Sequence, residues 1–511
     1  MAHIKHPVKT IVIAGGGTAG WMTAATLAHH FSKDQKVKIT LVESSQIGTI
    51  GVGEATIPTL RRFYARLGLS DIDVIKATQA TCKLGIEFQD WHQPGSHFVH
   101  PFGLFGQPGN NIPFHHYWLK QRQTGDTTPL SEYSLGVMLA EHDKFCMPSP
   151  KPAEPWMIFD WALHFDAGLF AELMQKTAQQ HGVEWIDAKI EQVCLNQQSG
   201  NIDSLQLDNQ QPLTADLFID CSGFRSLLLG DALKVGYQSW QQWLLCDKAV
   251  AVQSELTEEP IPRTIAKAQT AGWQWRIPLQ QRCGNGHVYS SQYTDTDIAT
   301  ETLLKHIPEK TLHQPRHFSF TPGRRDQAWV KNCVAIGLSS GFLEPLESTS
   351  IALIETAIEK LLLTFDQPQN AFFDDSKVER FNQVTATEYE RVRDFIILHY
   401  KLNQREGEMW RYCREMDIPD SLSGKMQQFK SQGDIPRLPW EIFGADSWLA
   451  IYNGMQFWPQ KYNAGVDKLD TGFLHKTLGE MHQKIQRAVS SVPPHSAFLQ
   501  RFCDYQPKQE H

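Results

Sequence analysis

Apolar residues fall in short unbroken runs early in the chain and in helical stripes toward its end. Residues 10–14 (TIVIA) make a run of strand length, followed by GGGTAG and the helix-like WMTAATLAHHF at 21–31. VKITLVE (37–43) is a second run, apolar enough for burial on both faces, as in a parallel sheet. This strand–helix–strand start predicts a parallel-sheet nucleotide domain. DLFIDCSG (216–223) and NCVAIGLSS (332–340) read as returns to the same sheet. Between them, KAVAVQSE, GWQWRIPL and GHVYSSQY predict an inserted antiparallel sheet. Upstream, TIPTLRRFYARLG is helical, and HQPGSHFVHPFGLFGQPGNNIPF (92–114) reads as Gly/Pro-rich loops. Past 350 the period changes. Ile351, Ile354, Ile358 and Leu361 stripe one helical face, and VERFNQVTATEYERVRDFIILHYKL and TLGEMHQKIQRAVSSV continue the helical theme. No internal repeat or low-complexity tract interrupts the chain.

The expected fold class is therefore α/β (α+β), with an inserted antiparallel sheet and a helical C-terminal region. Residues 1–350 are expected to form the core, with a β-rich, substrate-side segment at about 225–330, and residues 351–511 the helical region completing the pocket. Composition narrows the class. A charged fraction of 20% against 41% hydrophobic excludes a disordered chain. The net charge of −8 is spread rather than blocked, which argues against a nucleic-acid partner. Nine scattered cysteines without a CxxC pair suit reduced thiols and a cytoplasmic protein. No secretory leader and no apolar run of membrane-spanning length is read. The 21 histidines show no metal-ligand spacing, so no metal is expected. With 15 Trp, 27 Phe and 12 Tyr, the aromatic surplus fits either a plain core or a pocket for a flat substrate.

Candidate chemistry begins at the glycines. Gly15, Gly17 and Gly20 occupy GxGxxG directly after a strand and at the opening of a helix. The first permits the turn, the second a close approach to pyrophosphate, and the third helix-on-strand packing. The helix N-terminus offers free N–H groups to phosphate, and Glu43 ends the second strand where a carboxylate accepts ribose hydroxyls. The motif itself leaves FAD and NAD open. The distant returning strands favour an extended FAD, hence a Rossmann-like core of the flavin monooxygenase type.

Seven motifs then converge: GGGTAGW (15–21), GVGEATIP (51–58), KLGIEF (83–88), HFDA (164–167), DCSGFRSLL (220–228), GWQWRIP (272–278) and FLEPLEST (342–349). Together they resemble the flavin-dependent tryptophan halogenases along nearly the whole chain. The resemblance implies that FAD, reduced by a separate flavin reductase, reacts with dioxygen and halide to give hypohalous acid, which travels through an internal tunnel to an aromatic substrate. Cofactor contacts are then expected at Thr18, Ala19, Gly53, Glu54, Ala55, Val193, Leu338 and Ile351, beside the three glycines and Glu43. Trp273 and Trp275 would lie near the flavin; as i and i+2 on a strand they equally suit plain packing.

Lys83 matches the family's active-site lysine. Its ammonium can hydrogen-bond hypohalous acid, or, if burial lowers its pKa, the free amine can form a haloamine. Glu347 matches the catalytic glutamate, a group able to polarise the acid or take the proton lost from an indole carbon. Glu344 is the weaker candidate, and Ser348 is a possible helix cap. Backbone N–H groups of Thr349 and Ser350 are expected to hold halide. The family pattern there is ESTG; this chain reads ESTS, which matters if the glycine served a left-handed turn. His100 and Phe102 match the positions that sandwich an indole, and Trp448 is aligned with the substrate pocket. Gly444, Ala445 and Asp446 stand where relatives clamp the amino-acid end of tryptophan, so an indole without that zwitterion, or a larger indole compound, is expected to fit better than free tryptophan. A dimer is one expected assembly. The alternatives are a flavin-dependent aromatic hydroxylase and a non-catalytic flavin-binding relative.

Overall fold

The computed structural model describes residues 6–32, 37–46, 54–208, 212–365, 371–503 and 505–506. The chain folds as two compact units, each assembled from three segments: Met1–Gln79, Phe165–Asp247 and Ser319–Glu390 in unit one, and Ala80–His164, Lys248–Phe318 and Arg391–His511 in unit two.

Unit one holds a six-stranded sheet ordered Trp329–Val330, Cys333–Ala335, Leu217–Asp220, Thr10–Ala14, Lys38–Glu43, Glu184–Asp187. Its strands run parallel except for the edge hairpin between Trp329–Val330 and Cys333–Ala335. The two late runs read from the sequence do return here: Leu217 pairs with Ile11, and Phe218 with Cys333. Helix Thr18–Phe31 buries Gly20, Ala24, Ala25 and Ala28, small residues that bring its backbone close to its neighbours. Helix Ala167–Gln180 packs beside it and is capped by Asp166, whose carboxylate accepts from the Gly168 and Leu169 amides. Helix Ser350–Thr364 buries its whole predicted stripe, Ile351, Ile354, Ile358 and Leu361.

Unit two is built on a seven-stranded sheet ordered Arg316–Ser319, Lys248–Glu255, Arg282–Tyr289, Gly272–Pro278, Thr264–Gln269, Gly85–Gln89, His97–Pro101. The inserted strands are antiparallel as expected, but Gly85–Gln89 joins Thr264–Gln269 in parallel. Helices Phe114–Gln123, Asp420–Gln432, Ala445–Gly454, Thr471–Ser491 and His495–Cys503 belong to the same unit.

Two expectations change. The division at 350/351 is replaced by interleaved units, because the apolar stripe of Ser350–Thr364 packs on helices of unit one while residues 80–164 extend the inserted sheet. The stretch 92–114 is not all loop. Strand His97–Pro101 lies within it, hidden because four of its five residues are buried and the alternation that marks a half-exposed strand is lost.

Candidate active site

The glycine loop of unit one has the geometry of a phosphate cradle. Gly15 has φ +108°, a left-handed conformation, and a Cβ there would lie 2.3 Å from the Cys221 carbonyl oxygen. A Cβ on Gly20 would lie 1.9 Å from the Gly15 oxygen, so the helix packs on the turn only because that atom is missing. At Gly17 a Cβ would meet nothing within 4 Å, and this residue caps helix Thr18–Phe31 without any side-chain hydrogen bond. Open space therefore faces the uncapped, positive end of a 14-residue helix. Thr18 and Ala19 form its first turn. A Cβ on Gly16 would sit 1.7 Å from Glu43 Oε2, so the loop passes directly over that carboxylate. Gly16 was not singled out from the sequence, although the GGG run held the signal. Burial raises the Glu43 carboxyl above its usual range, against hydrogen bonds from Trp21 and Trp185.

Other predicted cofactor positions gather in the same unit. The turn Gly337–Ser339, which carries Leu338, lies on this helix: a Cβ on Gly337 would be 2.8 Å from Ala19 Cβ and 3.5 Å from Ile354 Cγ1. Ile351 is one helical turn before Ile354 and buried. Val193, on strand Ile190–Leu195, packs against the cluster containing Val12, Ala14 and Val42. Glu54 and Ala55 form a two-residue strand, and Gly53 lies outside the described residues. A buried hub that the sequence did not reveal braces the arrangement. Asp220 accepts from the amides of Leu228 and Leu229, at 2.9 and 2.8 Å, and from Ser222 Oγ at 2.5 Å.

The acid segment is also in unit one. Glu344 precedes the short turn Pro345–Glu347, and both carboxylates are buried, at 1% exposure. Ser348 then takes the left-handed conformation, φ 57°. The cap position of the next helix is Thr349 rather than Ser348, and its side chain makes no capping bond. Ser350 is already helical. The left-handed residue of this turn is thus Ser348, and serine at 350 places no strain on the backbone. An N-terminus without a side-chain cap leaves its amides available to an anion.

Lys83 belongs to unit two. It is fully buried on strand Thr81–Lys83, opposite Ala162. Its ammonium lies 5.2 Å from the centroid of the Phe102 ring, a cation–π contact. The Phe102 amide donates to the Leu84 carbonyl at 2.9 Å, which holds that ring beside the lysine strand. His100, 1% exposed, lies 5.8 Å from Phe395 and 6.0 Å from Phe443, two rings that stack 4.0 Å apart. Neither phenylalanine was read from the sequence, since each comes to His100 from about 300 residues away. Trp448 packs on the same stack, 5.1 Å from Phe395, and the Lys425 ammonium covers its face at 3.9 Å. Lys425 is itself paired with the buried Glu441. Of the three residues at the expected clamp, Gly444 caps helix Ala445–Gly454 and Asp446 accepts from the Phe105 amide at 3.1 Å.

Trp273 and Trp275 point to one face of strand Gly272–Pro278, with ring centroids 6.1 Å apart. Trp275 lies over Gly286, where a Cβ would be 2.1 Å from its ring, and Trp273 sits 6.5 Å from Trp91. A cavity of about 620 Å³ in the same unit is lined by Phe98, Trp118, Arg122 and Trp458 among others; Lys83, His100 and Phe102 are not in its wall. Among the described residues, no helix is long and apolar enough to cross a membrane.

The cradle and the parallel sheet define a dinucleotide-binding α/β protein. Comparison with known proteins specifies the class. A family model described as tryptophan halogenase matches residues 10–471, and the chain belongs to that family. It is a flavin-dependent halogenase. Tryptophan 6-halogenase SttH of Streptomyces toxytricini is 37% identical over 84% of this chain and 85% of its own length. The 7-chloro-L-tryptophan 6-halogenase KtzR of Kutzneria sp. is 35% identical over 96% and 99%. Among solved structures, BrvH, a flavin-dependent halogenase from Brevundimonas sp. BAL3, superposes with a TM-score of 0.93 at 52% identity, covering 97% of this chain and 99% of that one. This membership does not favour the hydroxylase alternative.

Proposed function

We propose that the enzyme halogenates an indole-type substrate lacking the amino-acid zwitterion, with Lys83 and Glu347 as its catalytic pair. FAD is the cofactor, held by Gly15, Gly17, Gly20 and Glu43, and a separate flavin reductase supplies it in reduced form. When bound, reduced FAD supplies, with dioxygen, the oxidising power that turns chloride or bromide into hypohalous acid. The amides at Thr349 and Ser350 hold the halide at the helix N-terminus. The Lys83 ammonium donates a hydrogen bond to the acid's oxygen, which makes the halogen more electrophilic and excludes competing water. Glu347 accepts the proton that the ring carbon loses after attack.

The observation that carries this reading is Lys83 itself: an ammonium with no solvent exposure, set against an aromatic ring. A lysine is rarely taken out of water without a task. The substrate preference rests on the expected clamp, where Gly444 and Ala445 offer no polar side chain and Asp446 Oδ1 accepts from the Phe105 amide. The test uses the enzyme with reductase, FAD and bromide, supplied with tryptophan and indole in separate reactions. Indole should be turned over at the higher kcat/KM; efficient turnover of tryptophan over indole would overturn the preference. Lys83→Ala should abolish product while leaving FAD binding intact.

A further inference from the structure

We infer that His495, at the start of the last helix, is a positioning residue for Lys83, acting through the backbone amide of Cys82. This rests on the reading of Lys83 as catalytic.

Strand Thr81–Lys83 is only three residues long and pairs with Ala162–Phe165 along one edge. Its placement therefore depends on what holds it elsewhere. Thr81 Oγ1 donates to the Pro278 carbonyl at 2.6 Å, at the end of the Trp273–Trp275 strand. A hydroxyl has one hydrogen, so toward His164 Nδ1, 3.0 Å away, Thr81 accepts; His164 carries its proton on Nδ1 and its Nε2 accepts from Thr264 Oγ1 at 2.8 Å. On the other side of Lys83, the Leu84 amide donates to the Pro262 carbonyl at 2.7 Å.

The Cys82 amide is held differently. It donates to His495 Nε2 at 3.1 Å, while His495 Nδ1 donates to the Pro260 carbonyl at 2.7 Å. Only the neutral Nδ1–H tautomer can do both. Burial agrees, holding this imidazole down to about 4. The ring thus bridges Pro260 and Cys82, as Pro262 reaches Leu84 directly. His495 is anchored in turn, since its own amide donates to the Asp143 carbonyl at 2.8 Å and its ring lies 5.8 Å from Phe145. The amides on both sides of Lys83 are fixed, one of them by a side chain 413 residues along the chain. A reacting group displaced by about 1 Å can lose about 100-fold in rate, so a support at the neighbouring peptide acts on Lys83 without touching substrate.

Two conservative variants separate this role from simple support of the helix. His495→Gln can present an acceptor to Cys82 where Nε2 stood; His495→Asn is shorter and keeps only a donor near Pro260. Each is assayed beside His495→Ala and Lys83→Ala with reductase, FAD, bromide and indole. The readout is brominated product formed per reduced FAD oxidised, with FAD affinity and melting temperature measured in parallel. The expected result is a loss of about 10- to 100-fold in coupling for His495→Ala and His495→Asn, substantial recovery in His495→Gln, and unchanged FAD affinity throughout. Equal coupling in the Gln and Asn variants, or a Gln variant that does not fold, overturns the inference. Product formed by Lys83→Ala would instead overturn the reading of Lys83.

Discussion

A single methyl group distinguishes the two jobs done by the glycines of the cofactor loop. At Gly17 the backbone angles, φ −72° and ψ −174°, suit any residue, and the space beyond is open. Gly17→Ala should therefore leave the apoprotein's stability within about 1 kcal/mol, or raise it slightly by restricting the unfolded chain. The same methyl projects into the space assigned to pyrophosphate, so FAD binding, followed by flavin fluorescence, should weaken at least tenfold. At Gly20 the methyl would strike the Gly15 carbonyl, a backbone atom that cannot swing aside. Gly20→Ala should cost about 1–3 kcal/mol in chemical denaturation of the apoprotein. Both positions were legible in the sequence, because GxGxxG encodes local backbone geometry. Gly16 was harder to find, since its role depends on Glu43 in the neighbouring strand, and so was Asp220, whose partners are the amides of Leu228 and Leu229 beyond an irregular turn that no period records.

Helix Ser350–Thr364 carries at its start the amides proposed to hold halide, and a buried carboxyl in its second turn. Burial pushes Glu355 up to about 8, and the like charge of Glu359 adds to the rise. A raised carboxyl holds its proton in the folded state after the unfolded chain has lost it. Its contribution is complete below the unfolded value of 4.5 and disappears as pH rises through about 8. Glu355→Gln, neutral in both states, should match wild type in urea denaturation at pH 4.5 and exceed it by about 2–4 kcal/mol at pH 8. The helix itself was predictable from its 3–4–3 stripe, as were strands Thr10–Ala14 and Lys248–Glu255 from local runs. The pairing of Gly85–Gln89 with Thr264–Gln269 was not, because nothing local records which distant strand will meet an edge. The same reason conceals Phe395 and Phe443 beside His100, and His495 beside Cys82.

Across the molecule, the histidines that burial shifts to about 4 lie in unit two, although burial also lowers His30 in unit one and raises Glu141, Asp394 and Asp446 in unit two. In unit two, burial holds His115, His116, His287 and His495 down to about 4, and His164 well below the usual value. In unit one, burial raises Glu43, Glu54 and Glu355. A histidine held neutral in the fold takes up a proton on unfolding, so its contribution is complete above 6.5 and disappears as pH falls toward 4. Raised carboxyls favour the fold in that same window. Limited proteolysis with mass spectrometry at pH 7 and pH 5 should therefore show cleavage appearing first in segments 80–164, 248–318 and 391–511. First cleavage within 165–247 or 319–390 would contradict the assignment of acid sensitivity to unit two.

The bridge from His495 to Cys82 has a consequence for the time at which the enzyme is made. A ribosome adding about 5–20 residues per second needs roughly 20–80 seconds to travel the 413 residues between them. Through that interval the segment bearing Lys83 has left the ribosome without the imidazole that fixes its neighbouring amide. The nascent chain can build its parallel sheet, and even its glycine cradle, well before the amide beside Lys83 is held. On the roles proposed for Lys83 and His495, oxidising power is matched to a finished site only when synthesis has passed residue 495, and a product shortened before that point should consume reduced flavin without directing the halogen.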